Sequence, residues 1–178
     1  MSEAVAKRQP CIALCGAGDP TPAEREQAAA VGRLIGERGG VLVCGGLGGA
    51  MAAACEGAKR AGGVTMGVIP GLDRTSANPW VDHVICTGLG QARNAVVVAT
   101  AEAVIAVGGG WGTLSEIALA LRIGRPTILL GGWATPLTDP ATRDTVADLA
   151  RLGSRPHLAE TPEDAISIAF DLIDTEFG

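Results

Sequence analysis

An α/β, Rossmann-like three-layer fold with a mainly parallel central sheet is what this 178-residue sequence predicts, on three observations. Short aliphatic or β-branched runs alternate with longer helical patterns, which is how successive βαβ units read. Glycine clusters follow three of those runs directly, at Gly16-Ala17-Gly18, Gly45-Gly46-Leu47-Gly48-Gly49 and Gly108-Gly109-Gly110-Trp111-Gly112. No linker, repeat or low-complexity stretch interrupts the alternation. Residues 1–178 are therefore expected to form a single domain, with residues 1–9 flexible.

Taken in chain order, strands are expected at 11–15, 41–44, 64–69, 82–86, 103–107 and 126–130, with a short edge strand around 155–158. Helices are expected at 22–38, 49–61, 90–101, 113–123, 142–152 and 162–175. The first helix is well announced, because Thr21-Pro22-x-Glu24 combines an N-cap, a proline at the first helical position and a capping-box glutamate. Thr161-Pro162-Glu163 repeats the Thr-Pro start at the last helix. Leu114, Ile117, Ala118 and Leu121 fall at helical spacing and predict one apolar stripe for the sheet. Helix 90–101 contains Ala95-Val96-Val97-Val98-Ala99 and is apolar nearly all round, so it is expected to be deeply buried or part of a subunit interface.

Composition excludes several function classes. The net charge of −5, without a Lys/Arg cluster, argues against a surface that tracks a phosphate backbone, and nucleic acid is not expected as a partner. Aromatics at 3%, with no tyrosine, leave few platforms for stacking bases of a single strand. No uninterrupted apolar stretch approaches about 20 residues, and no signal peptide is recognisable, so no membrane association and a cytoplasmic location are expected. The five cysteines, Cys11, Cys15, Cys44, Cys55 and Cys86, form no C-x-x-C pair and are read as buried reduced thiols, with Cys11 and Cys15 on one face of a strand. His83 and His157 stand apart from one another and from the cysteines, so no metal site is expected. His83, in a strand, is read as a satisfied structural histidine.

In an open parallel sheet the three glycine-rich loops share the carboxyl edge, where ligands bind. Glycine lets backbone N–H groups approach an anion, and the following helix N-terminus adds partial positive charge. Gly16, Gly18, Gly45, Gly46, Gly48, Gly49, Gly109, Gly110 and Gly112 are thus candidate phosphate contacts. The loops do not match the dinucleotide fingerprint, since Asp19-Pro20-Thr21 follows where a third glycine belongs and strand 41–44 ends on Cys44-Gly45 instead of an acidic residue. No Walker motif occurs, so NAD and P-loop chemistry are both disfavoured.

Gly108-Gly109-Gly110-Trp111-Gly112-Thr113-Leu114-Ser115-Glu116 resembles the P-G-G-x-G-T-x-x-E motif of the Lonely Guy (LOG) family, also described as lysine-decarboxylase-like. Cys44-Gly45-Gly46-Leu47-Gly48-Gly49-Ala50-Met51 is similar to that family's other Gly-rich loop and brings Met51 into the candidate set. Arg93 lies 23 residues before Glu116, which matches the spacing of the family's catalytic Arg and Glu. The resemblance covers about residues 40–130 and implies a Rossmann-like phosphoribohydrolase that frees a base from a nucleoside 5′-monophosphate. Two positions depart from it: Gly108 replaces the motif proline, and Asn94 stands where the hydrolases place a lysine. Val68-Ile69-Pro70-Gly71, Asp73-Arg74, Ala77-Asn78-Pro79 and Thr87-Gly88-Leu89-Gly90-Gln91-Ala92-Arg93-Asn94 instead look like the molybdenum-cofactor-carrier-like subgroup. That resemblance implies a molybdenum cofactor as possible bound cargo, no required cofactor, and a homodimer or homotetramer.

Each candidate has a plain alternative. Glu116 is either catalytic at an N-glycosidic bond or the capping-box partner of Thr113. Arg93 is either a solvated helix residue or a guanidinium poised over phosphate or ribose. Thr113 can bond a phosphate oxygen, cap its helix, or both. Trp111 either stacks on a ligand ring or fills a gap between subunits. Asp73, Arg74 and Asn78 are secondary candidates in a polar turn, as is Asn94. Lysine decarboxylation is not supported, because Lys7 and Lys59 are the only lysines and neither follows a strand. The function expected first is binding of a phosphate-bearing, nucleotide-like or pterin ligand, then phosphoribohydrolysis, then a non-catalytic oligomeric scaffold.

Overall fold

The computed structural model describes residues 8–134, 137 and 155–177. Seven strands, β1 (Cys11–Gly16), β2 (Val41–Cys44), β3 (Val64–Ile69), β4 (His83–Cys86), β5 (Ala103–Val107), β6 (Thr127–Leu130) and β7 (His157–Ala159), form one sheet in the order β4-β3-β2-β1-β5-β6-β7. Every pairing is parallel, so the sheet is not mainly but wholly so. β1, β2, β5 and β6 are interior strands covered on both faces, and they read as continuous aliphatic runs for that reason.

Helices α1 (Pro22–Glu37), α2 (Ala50–Arg60) and α5 (Pro162–Phe177) lie on one face, packed on Ile12, Leu14, Leu42, Ile105, Ile128 and Leu130. Helices α3 (Asn94–Thr100) and α4 (Trp111–Arg122) cover the other, over Ala13, Val43 and Val104 and over Ala106 and Leu129. α1 and α2 meet with almost no spacer. A Cβ on Gly32 would lie 1.9 Å from the Ala54 carbonyl oxygen, and one on Gly57 would lie 2.1 Å from that of Ala29.

The Thr21–Glu24 capping box forms as expected, and Thr161 makes the equivalent reciprocal pair with Asp164 at the start of α5. The helix expected at 142–152 lies outside the described residues. Of the segment expected to be flexible, only Arg8 and Gln9 are described, and Arg8 is ion-paired to Glu102 at 2.7 Å.

Three expectations need correction. The helix expected at 90–101 is a 3-10 turn over Gly90–Arg93 followed by a seven-residue α3, because Gly88 and Gly90 take positive φ and the Gly90 amide is tied to the Pro70 carbonyl. α4 begins at Trp111, two residues before expectation, which moves its buried face to Thr113, Glu116, Ile117, Ala120 and Leu121 and leaves Ala118 exposed. Edge strand β4 is open to solvent, so His83 and Cys86 are exposed and not a packed histidine and a buried thiol. The other cysteines sit inside or half-buried, and Cys11 and Cys15 share the α3/α4 face.

Candidate functional site

β1 and β5 are adjacent at the centre of the sheet, and the helices that follow them leave on opposite faces. Their loops diverge there and open a crevice at the carboxyl edge, the usual ligand position in such sheets. A cleft of about 510 Å³ occupies it. Its lining brings together Gly16 and Gly18 after β1, Met51 on α2, Arg93 and Asn94 before and at the start of α3, and Gly109, Gly110, Gly112, Thr113 and Glu116 around the start of α4. Ala17, Asp19, Glu24 and Gln91 complete it.

Arg93 and Glu116 are a buried pair, with side chains only 8% and 9% exposed and Nη1 donating to Oε1 at 3.2 Å. Arg93 is therefore not a solvated helix residue. Asn94 steers it: Asn94 Oδ1 accepts from Arg93 Nη1, while Asn94 Nδ2 donates to Ser115 Oγ at 2.8 Å. A lysine at this position could not accept from the guanidinium, so Asn94 supplies a neutral bridge and lowers the positive charge of the cleft by one. Arg93 Nε is buried without a hydrogen-bond partner.

The Thr113–Glu116 capping box does not form. The N-cap is Gly110, no side chain caps α4, and Thr113 is buried at the third helical position with its hydroxyl folded against Gly109. Glu116, one turn further in, points instead at Arg93 and at the Cys15 thiol, which donates to its carboxylate. Burial pushes the Glu116 carboxyl up to about 7, against the opposing pull of the Arg93 charge and of the hydrogen bonds from Cys15 and Arg93. Near neutrality such a carboxyl both takes and gives a proton, the property a general acid–base needs.

The Gly-rich loop after β2 acts from behind. A Cβ on Gly45 would lie 2.5 Å from Arg93 Nη2, so the absent side chain makes room for the guanidinium. Gly46, at φ 71°, packs on Gly67 and Ile69 and accepts from Asn78, whose amide also holds the Leu47 carbonyl at 2.9 Å. Gly49, at φ 66°, presses on the Ala17 and Gly18 carbonyls. Gly45, Gly46, Gly48 and Gly49 are not among the residues lining the cleft. Asn78 likewise works by anchoring that loop, and Asp73 caps the exposed turn Arg74–Ser76. Trp111 is 82% exposed, with its ring 6.0 Å from that of Trp133, whose indole N–H donates to the Gly110 carbonyl.

Five residues at this site are not among the sequence candidates: Ala17, Asp19, Glu24 and Gln91 in the lining, and Cys15 beside Glu116. Cys15 reads as a buried core thiol, though its alternation with Ala13 aims it at the α3/α4 side where Glu116 arrives. Glu24 reads from the sequence as a capping residue only, yet its second oxygen accepts the Gly109 amide at 3.3 Å. No local pattern announces a contact across 85 residues.

A Rossmann-like α/β protein with a ligand-sized cleft at the switch point of its sheet is the class that this fold and site define. The chain belongs to the SLOG cluster4 family, which matches residues 9–166 and lies in the LOG-like superfamily. Among solved structures it resembles the molybdenum cofactor binding protein of Rippkaea orientalis, at 38% identity and a TM-score of 0.82, over 94% of this chain and 99% of the other. It also resembles the molybdenum cofactor carrier protein of Chlamydomonas reinhardtii, at 34% identity and a TM-score of 0.78, again over 94% and 99% of the two chains. The cytokinin riboside 5′-monophosphate phosphoribohydrolase of Mycobacterium tuberculosis is 36% identical over 132 residues, covering 68% of this chain and 71% of that protein. The molybdenum-cofactor-carrier-like subgroup and the LOG motifs expected from the sequence are both represented in these likenesses. No described helix is long and apolar enough to cross a membrane.

Proposed function

We propose that this protein binds a phosphate-bearing, nucleotide-like or pterin small molecule in the β1/β5 cleft and acts as a carrier of it. The observation that carries the reading is Arg93, held by Asn94 and Glu116 in the lining of a cleft bordered by the N-terminus of α4, which no side chain caps. Backbone donors and a guanidinium then converge on one anion, with Thr113 and the glycines Gly109, Gly110 and Gly112 at its edge. Gly16, Gly18 and Met51 also line the cleft, and Trp111, which is exposed and outside that lining, is the proposed partner of a ligand ring that extends beyond it. Similarity to the molybdenum cofactor proteins supports a pterin phosphate as cargo, with no cofactor required for binding.

Phosphoribohydrolysis is the second reading, and the Glu116 carboxyl near 7 beside Arg93 favours it. The neutral Asn94 and the glycine at 108 favour the carrier. Purified protein mixed with nucleoside 5′-monophosphates and, separately, with molybdenum cofactor distinguishes them. A carrier binds stoichiometrically and frees no base, losing affinity on Arg93→Ala and little on Glu116→Gln. Base release that falls by about two orders of magnitude or more in Glu116→Gln would establish the hydrolase instead.

A further inference from the structure

Glu24 lies at the cleft and uses both of its carboxylate oxygens. Its Oε2 closes the α1 capping box, accepting the Thr21 amide at 2.8 Å and the Thr21 hydroxyl at 3.0 Å. Its Oε1 remains and takes the Gly109 amide at 3.3 Å, joining the loop after β1 to the loop after β5 across the cleft. Gly108 makes this contact possible. It holds φ 54°, and any Cβ there would overlap the Glu24 carboxylate. The departure of Gly108 from the motif proline and the placement of Glu24 are thus one feature, built from both sides. Hydrogen bonds from Thr21 and Gly109 hold the Glu24 carboxyl below its ordinary range, so it is charged at neutral pH.

A carboxylate oxygen on a backbone amide, two residues before the N-terminus of a helix, does what a phosphate oxygen does there. Resting on the reading of this cleft as a phosphate site, we infer that Glu24 is a resident anion that competes with the ligand phosphate for the Gly109 amide and so weakens its binding. Side-chain charge in the cleft lining is mostly negative. Arg93 is the one cation in its lining, against the carboxyl groups of Asp19, Glu24 and Glu116. An incoming dianion must either push Glu24 aside or bind one amide short beside a like charge. A residue that was only a helix cap would have no effect on phosphate affinity.

Glutamine also serves in a capping box, so Glu24→Gln removes the charge while α1 stays capped. Calorimetric titration of wild type and Glu24→Gln with AMP at one fixed pH near neutrality tests the idea, together with the Gly109 amide resonance followed by NMR through the Glu24 titration. The expected result is AMP binding about tenfold tighter in the variant, as one like charge is removed. The Gly109 resonance should shift with Glu24 ionisation in wild type and stay flat in the variant. Equal or weaker binding by the variant, with wild type binding AMP, overturns the competition and leaves the phosphate reading standing. A wild-type Gly109 resonance that ignores Glu24 overturns the contact itself. Binding of AMP by neither protein overturns this inference, while the phosphate reading is judged separately by binding of molybdenum cofactor.

Discussion

At the scale of single residues, the site is governed by how little water reaches Glu116. An exposed glutamate three residues after a threonine at a helix start would cap the helix, which is how the sequence pattern reads. Here the helix starts two residues earlier, and the same glutamate faces inward onto Arg93. Its raised pKa has a measurable consequence. The folded state holds the proton to about 7 whereas the ordinary value is 4.5, so the stabilisation is fully present below about pH 4.5 and is lost as pH rises through about 7. Urea unfolding of wild type should show this as a loss of about 3 kcal/mol across that window. Glu116→Gln, which cannot ionise, should show a correspondingly flatter profile. Glu24 does not confuse the measurement, because its lowered pKa puts its own contribution at lower pH, present above the ordinary carboxylate value and lost as pH falls through the folded one. An unchanged slope in Glu116→Gln would mean that the carboxyl is solvated and titrates normally.

At the scale of elements, two glycines outside the cleft decide how the helices and loops can approach. Gly32 to alanine ordinarily favours a helix by about 1 kcal/mol. At this position the new Cβ meets the Ala54 carbonyl at 1.9 Å, and overpacking of that kind costs about 1–3 kcal/mol or more. The contact is backbone against side chain, with no flexible group to yield, so Gly32→Ala should lower the melting temperature. A neutral or raised value would show that α1 and α2 can separate without cost. Gly108→Pro, which restores the motif residue, should also destabilise. Proline is confined to φ near −65°, and this position holds 54° against the Glu24 carboxylate. Thermal melts of Gly108→Pro beside Gly108→Ala separate the two causes, since alanine tolerates the positive φ better but meets the same carboxylate.

At the scale of the whole molecule, helices cover both faces of the central strands, and among the described residues the outer side of α3 and α4 is left open. Ala95, Ala99, Ala118 and Ile123 are exposed there, a surface of small apolar side chains on which a second copy could pack closely. The expected homodimer or homotetramer would use it. Sedimentation equilibrium at micromolar concentration should give a dimer or larger species, and Ala95→Glu should shift it toward monomer. A monomeric wild type would remove oligomerisation from the account.

The alternation of aliphatic runs with helical patterns was enough to determine the parallel sheet, because a strand buried on both faces has no polar side to show and declares itself along the chain. The glycine clusters likewise marked the carboxyl edge, and the Arg93-to-Glu116 spacing picked out two side chains that do meet. What the chain could not disclose locally was decided by packing. Whether Thr113 capped α4 depended on a start shifted to Trp111, whether Gly45 touched a ligand or made room for Arg93 depended on α3, and Glu24 acquired its second partner only when β1 and β5 became neighbours. Sequence periodicity records which face of an element avoids water. It carries no record of which distant group will occupy the space that face leaves, and in this cleft that is what sets charge, proton affinity and access.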